Sequence, residues 1–200
     1  MKLIPIFLLV GMLAVSGWAQ RAKPEHYSPE LVKKAEAGDA VAQWNLGMCY
    51  SGSCPLPQGF TDCKEVKKNS EEAIKWFTKS AEQGNPQAQF EMCQYYYTKA
   101  NEYIQTTDNL PHIEEARKIG DEWCLKAANG GNQNAQLNLG GRNFYNSRSK
   151  GAARIEELEE AKKWYTKVAE KGDKQAEKMA RSCEFEIQKI QRQLKTTKSK

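Results

Sequence analysis

The sequence predicts an all-α chain laid out as a solenoid of antiparallel helix pairs, and three observations predict it. First, "GDAVAQWNLGMCY", "GNPQAQFEMCQYY", "GNQNAQLNLGGRN" and "GDKQAEKMARSCE" open at Gly38, Gly84, Gly131 and Gly172, which lie 46, 47 and 41 residues apart. A period of that length points to stacked helical units. Second, each of these glycines ends a helical run and is followed by Asp39, Asn85, Asn132 or Asp173. A glycine there closes one helix in a left-handed turn, and the polar residue caps the next. Third, Ala42, Ala88, Ala135 and Ala176 are followed four residues on by Leu46, Met92, Leu139 and Ala180. Residues four apart share a helix face, so each unit shows an apolar stripe to its neighbour.

The elements follow in chain order. Residues 1–19, "MKLIPIFLLVGMLAVSGWA", carry one lysine, an apolar run and a small-residue end with Gly17 and Ala19. That is the pattern of a secretory signal peptide cleaved before Gln20. No cysteine follows the run to carry a lipid, and no later stretch is apolar enough to span a bilayer. The mature chain is therefore expected to be periplasmic or secreted, with no membrane anchor after cleavage. Residues 20–28 read as a linker, and Ser28 before Pro29 caps a half repeat over 29–38. Repeats follow over about 39–84, 85–131 and 132–172. A capping helix covers 173–194 and a disordered tail 195–200.

Within each repeat, the position after the Leu or Met holds Gly47, Cys93 or Gly140, small enough for two helices to approach closely. The second helices carry Trp76, Trp123 and Trp164 with Lys79, Lys126 and Lys167 three residues later, the spacing of inter-unit packing. Between the helices of the first repeat, "SGSCPLPQGFTDCKEVKKNS" has the prolines, glycines and cysteines of a long loop.

Two phrases, "EEAIKWFTKSAEQGNPQAQ" and "EEAKKWYTKVAEKGDKQAE", resemble the Sel1-like repeat, a relative of the tetratricopeptide repeat. Its pattern is Lys-Ala-x-x-Trp-Tyr-x-Lys-Ala-Ala-x-x-Gly followed by Ala-x-x-x-Leu-Gly-x-x-Tyr. The resemblance covers residues 29–184 and implies a right-handed α-solenoid used chiefly for protein–protein contact. The chain departs from the pattern at Gly120, where alanine is expected before Trp123, at Cys93, and at Ala180-Arg181 in place of Leu-Gly.

Composition limits the function further. The formal charge is +5, and the basic clusters, Lys67-Lys68 and the tail "LKTTKSK", are isolated among interleaved acids. A nucleic-acid surface is not expected. Six cysteines, Cys49, Cys54, Cys63, Cys93, Cys124 and Cys183, are disulfide candidates in an exported chain. A Cys54–Cys63 staple, a Cys49–Cys93 bond between repeats and a Cys93–Cys124 bond within one are all compatible with the spacing, and Cys183 has no evident partner. His26 and His112 lie far apart and beside none of the cysteines, so no metal site is expected, and no cofactor motif is present.

No catalytic residue is expected either. The pairs Glu71-Glu72, Glu114-Glu115 and Glu159-Glu160 read as charges opening second helices. By the resemblance to tetratricopeptide arrays, first helices line a concave groove. In this register Trp44, Asn45 and Met48, then Phe90, Glu91, Gln94 and Tyr97, then Leu137, Asn138, Gly141 and Phe144 face it and hold a partner protein. Of Tyr95, Tyr96, Tyr97 and Tyr103, at least one is expected to be exposed. Exported bacterial relatives include proteins that bind or neutralise other secreted proteins, which implies an immunity or inhibitor role. Cysteine-rich relatives that bind or hydrolyse β-lactams are an alternative, weakened because Ala81 and Ala88 stand where those relatives have cysteines. A cell-envelope regulatory adaptor is a third reading.

Overall fold

The computed structural model describes residues 27–52, 63, 66–106, 110–145 and 149–198. The expected signal peptide, most of the linker before Pro29, Cys54 and most of the long loop of the first repeat lie outside the described residues. The described residues form helices and their connections. These are α1 (Pro29–Glu36), α2 (Ala40–Ser51), α3 (Ser70–Glu82), α4 (Pro86–Thr106), α5 (Leu110–Asn129), α6 (Gln133–Tyr145), α7 (Gly151–Ala169) and α8 (Lys174–Lys198). The chain divides after Asn85 into two compact units, the first carrying α1 to α3 and the second α4 to α8.

The turns form as the polar caps and glycines require. Ser28 accepts from the Leu31 amide at 3.0 Å, Asp39 from Ala42 at 2.8 Å, Asn132 from Ala135 at 2.9 Å and Asp173 from Ala176 at 2.9 Å. Each such cap satisfies an otherwise orphaned helix amide and contributes about 1 kcal/mol. Gly38 and Gly131 take φ of 98° and 91°, a region closed to most side chains. The glutamine five residues after the glycine adds a lock. Gln43 donates to the Ala35 carbonyl at 3.0 Å, and Gln136 to the Ala128 carbonyl at 2.9 Å. Both glutamines are buried, so each bond ties the start of one helix to the end of the preceding one.

In the first unit, Leu31, Ala35, Ala42, Leu46, Cys49 and Trp76 form one core cluster. In the second, Ala127, Ala128, Ala135 and Trp164 form one, and Ala161, Tyr165, Val168, Ala176 and Cys183 another. Trp76 and Trp164 are buried as the spacing predicts, whereas Trp123 is only half-buried. Lys79, Lys126 and Lys167 lie 4.4, 4.2 and 4.3 Å from the ring centroids of Trp76, Trp123 and Trp164, a cation–π contact repeated in each second helix.

The small residues at 47, 93 and 140 mark equivalent crossings. A Cβ on Gly47 would stand 2.6 Å from the Phe77 ring, and one on Gly140 would stand 3.1 Å from the Tyr165 ring. At the matching point of α4 and α5, Cys93 is bonded to Cys124, with Cα atoms 5.1 Å apart. A second disulfide joins Cys49 to Cys63. The Cys54–Cys63 and Cys49–Cys93 pairings are thus corrected, because Cys63 returns to the end of α2 and Cys93 faces its own repeat's second helix. Cys183 is a buried free thiol rather than a disulfide member, since it is enclosed by the α7 and α8 side chains while the other four described cysteines pair among themselves.

Two further expectations change. Glu71 and Glu72 do open α3, with both amides held by Asn69 Oδ1 at 3.1 Å. Glu114-Glu115 and Glu159-Glu160 do not open helices, because α5 and α7 start earlier, at Leu110 and Gly151. The last helix also continues beyond the expected boundary at Leu194, to Lys198.

Candidate functional site

The residues expected to line a groove separate into three groups once their surroundings are seen. Trp44, Asn45 and Met48 on α2 are 8%, 2% and 7% exposed. Neither the Trp44 indole N–H nor either polar atom of the Asn45 amide has a hydrogen-bond partner. The expectation that these three present a surface is corrected: α2 is enclosed along nearly its whole length.

In the second unit, Phe90, Leu137 and Phe144 are half-buried and packed against core clusters, Phe90 on the one containing Trp164 and the other two on the one containing Tyr165. The third group is polar. Gln94 and Asn138 are exposed, Glu91 and Gly141 are half-buried, and the Glu91 carboxylate has no ion pair among the described residues. Burial pushes the Glu91 carboxyl above the usual carboxylate range.

Beside this group stands a set of hydrogen bonds that sequence reasoning missed. The Tyr97 hydroxyl donates to Asp121 Oδ1 on α5 and accepts from Arg142 Nη1 on α6, and Arg142 also pairs with Asp121. The Arg142 guanidinium lies 5.4 Å from the Tyr97 ring centroid. Burial, then the bond to Asp121, holds the Tyr97 phenol above its ordinary pKa, so it stays protonated as a donor. The signal that could have found this set is one of register. Tyr97 is thirteen residues past its repeat glycine and Arg142 is eleven past the next, positions that adjacent first helices bring together.

The other three tyrosines are likewise half-buried. Tyr95 meets Tyr96 edge-on at 5.2 Å, and Tyr103 lies 5.8 Å from the His112 ring. No group of three or more His, Cys, Asp or Glu suited to a metal occurs among the described residues. Burial pushes the Cys183 thiol up to about 11, which leaves it protonated and a poor nucleophile at neutral pH.

This helix-pair geometry has close counterparts. The Sel1 repeat family model matches residues 40–53, 62–85 and 133–173. The chain carries Sel1 repeats over these residues. A Sel1 repeat protein from Oxalobacter formigenes is similar at 25% identity and a TM-score of 0.52, over 76% of this chain and 96% of that one. The protective antigen c5321 of uropathogenic Escherichia coli, which displays the same fold, is 29% identical with a TM-score of 0.50, over 73% of this chain and 26% of that one. Among curated proteins, the chitin synthase regulator SKT5 of Saccharomyces cerevisiae is 30% identical over 159 residues, 79% of this chain. The chain spans about one fifth (20%) of that relative's length. The fold class is thus the all-α Sel1 solenoid, and Sel1 repeats are protein-interaction scaffolds, typically without catalysis of their own. Among the described residues no helix is long and apolar enough to cross a membrane.

Proposed function

We propose that this Sel1-repeat chain is an exported module that binds a partner protein through α4 and α6 of its second unit. The observation that carries the reading is the polar group of the exposed Gln94 and Asn138 and the half-buried Glu91, beside the held Tyr97, Asp121 and Arg142. Side chains already fixed by neighbours lose little freedom on association, which favours binding. Phe90, Leu137 and Phe144 supply apolar edges. Trp44, Asn45 and Met48 support the first unit from within.

Export is supported by the apolar leader pattern and by two disulfides, which persist in oxidising compartments. An exported binder of this kind fits an immunity or inhibitor role against a secreted effector. A second reading, a regulatory adaptor, is favoured by the likeness to a yeast protein that regulates chitin synthase. The β-lactam reading loses support, because the buried Ala81 and Ala88 occupy the positions that would carry the inter-repeat cysteines.

The test is affinity purification from the native envelope and culture fluid, comparing the wild-type chain with a Glu91→Arg, Gln94→Ala, Asn138→Ala triple variant. One protein retained stoichiometrically by the wild type and lost from an equally stable variant is the expected result. Equal retention by both chains removes α4 and α6 as the binding face.

A further inference from the structure

The three equivalent crossings of first and second helices are built in two chemistries. At Gly47 with Phe77 and at Gly140 with Tyr165, a ring lies on a glycine so closely that even a methyl group would stand 2.6 or 3.1 Å from it. At the two matching positions of the α4–α5 crossing there is neither glycine nor ring. Cys93 and Cys124, both 0% exposed, occupy the same two register positions and are bonded to each other. Gly120 brings the helices closer still, since a Cβ there would lie 3.4 Å from the Tyr96 Cβ and 3.5 Å from the Cys93 carbonyl. Asn138 on α6 lies against the bond, its Oδ1 4.0 Å from Cys124 Sγ.

A junction held by an aromatic ring is complete as soon as the chain folds, whatever the redox conditions. One held by two cysteines is not. With Cα atoms 5.1 Å apart, the pair sits within the span of a disulfide. Two unbonded sulfurs must stand well beyond the ~2.05 Å of the bond, and in a close-packed interior they have nowhere to go without parting the helices.

We propose that Cys93–Cys124 is an oxidation-dependent latch: α4 and α5 reach the close register seen here only after the bond forms. Glu91, Gln94 and Tyr97 are then presented in an oxidising compartment and not before. Formation joins the two sulfurs. The two thiol protons and two electrons pass to a disulfide-bearing oxidant, which leaves as two thiols. That these residues serve a partner rests on the function proposed above; the latch itself concerns only α4 and α5.

Hydrogen exchange of the full chain, read helix by helix, tests the latch without any partner. In a Cys93→Ser, Cys124→Ser variant, protection across α4 and α5 is expected to fall by on the order of 100-fold while α7 and α8 keep theirs. In a Cys93→Gly, Cys124→Tyr variant, which carries the neighbours' pair, protection of α4 and α5 is expected to persist with or without reductant. Undiminished protection in the serine variant overturns the latch, as does a loss spread equally over α7 and α8. Loss of protection in the glycine–tyrosine variant overturns the equivalence of the two junctions and the proposal with it. A purification that finds no partner, by contrast, leaves the exchange result standing and removes only the proposed function.

Discussion

Helices α2 and α6 hold the same register in the first and third repeat frames and do different work. Seven residues past the repeat glycine, α2 has Asn45, buried with both polar atoms unpartnered, and α6 has Asn138, the same residue type, exposed. Ten residues past it, α2 buries Met48, whereas α6 has the half-buried Gly141. A repeat frame sets where a backbone runs. Exposure at a given position is set by what packs over it, and the frame does not carry that information. Open surface and supporting core are therefore interchangeable uses of one register position.

Six substitutions can break or sharpen this contrast. The largest effect is expected from Trp44→Ala, which should cost about 3–5 kcal/mol in denaturant unfolding, as for a buried tryptophan. A Trp44→Ala protein as stable as wild type would return α2 to the surface class. Next, Gly47→Ala should destabilise by about 1–3 kcal/mol, because its new carbon meets the enclosed Phe77. Gly141→Ala meets only the Tyr165 hydroxyl at 3.7 Å and should stabilise by about 0.5–1 kcal/mol through helix propensity. Equal shifts of the two melting temperatures would contradict the packing described.

A gain of about 1 kcal/mol is expected from Asn45→Leu, since it removes a buried amide that has no partner. Asn138→Leu should leave stability within about 0.5 kcal/mol of wild type, as expected for a surface site. The smallest effect belongs to Glu91→Gln. The folded-state pKa of Glu91 is raised by burial, so its carboxyl favours the native state when protonated and opposes it when charged. The variant should be the more stable protein at pH 7, and its advantage should vanish as pH falls through the folded pKa of Glu91. An advantage that grows toward acid would reverse the assigned sign.

Much of the fold was legible because its signals are local. Gly38 and Asp39 announce a turn within two residues, and Ala42 with Leu46 announces a buried face within one turn of helix. The starts of α5 and α7 were less legible. Lys150 caps α7 without any side-chain hydrogen bond, so no capping side chain marks the boundary before Gly151. The candidate site was the least legible part. Tyr97, Asp121 and Arg142 meet from three helices, and the cysteine pairing depends on which helices cross. Neither follows from spacing along one helix. The enclosure of Asn45 likewise depends on neighbours rather than on its own periodicity.

The glycines that end the second helices carry one last consequence. Around Gly38 and Gly131, no atom beyond the adjoining residues lies within 4 Å of where a side-chain carbon would project. What excludes other residues there is handedness alone, because the backbone adopts the mirror-image conformation in otherwise empty space. A chemically assembled chain carrying D-alanine at both positions would fit the turns without strain. It would also gain stability from an unfolded state with fewer conformations, by about 0.4–1 kcal/mol at each site. The joints of this solenoid are thus stereochemical rather than steric, and each could be stiffened by introducing one D-configured centre.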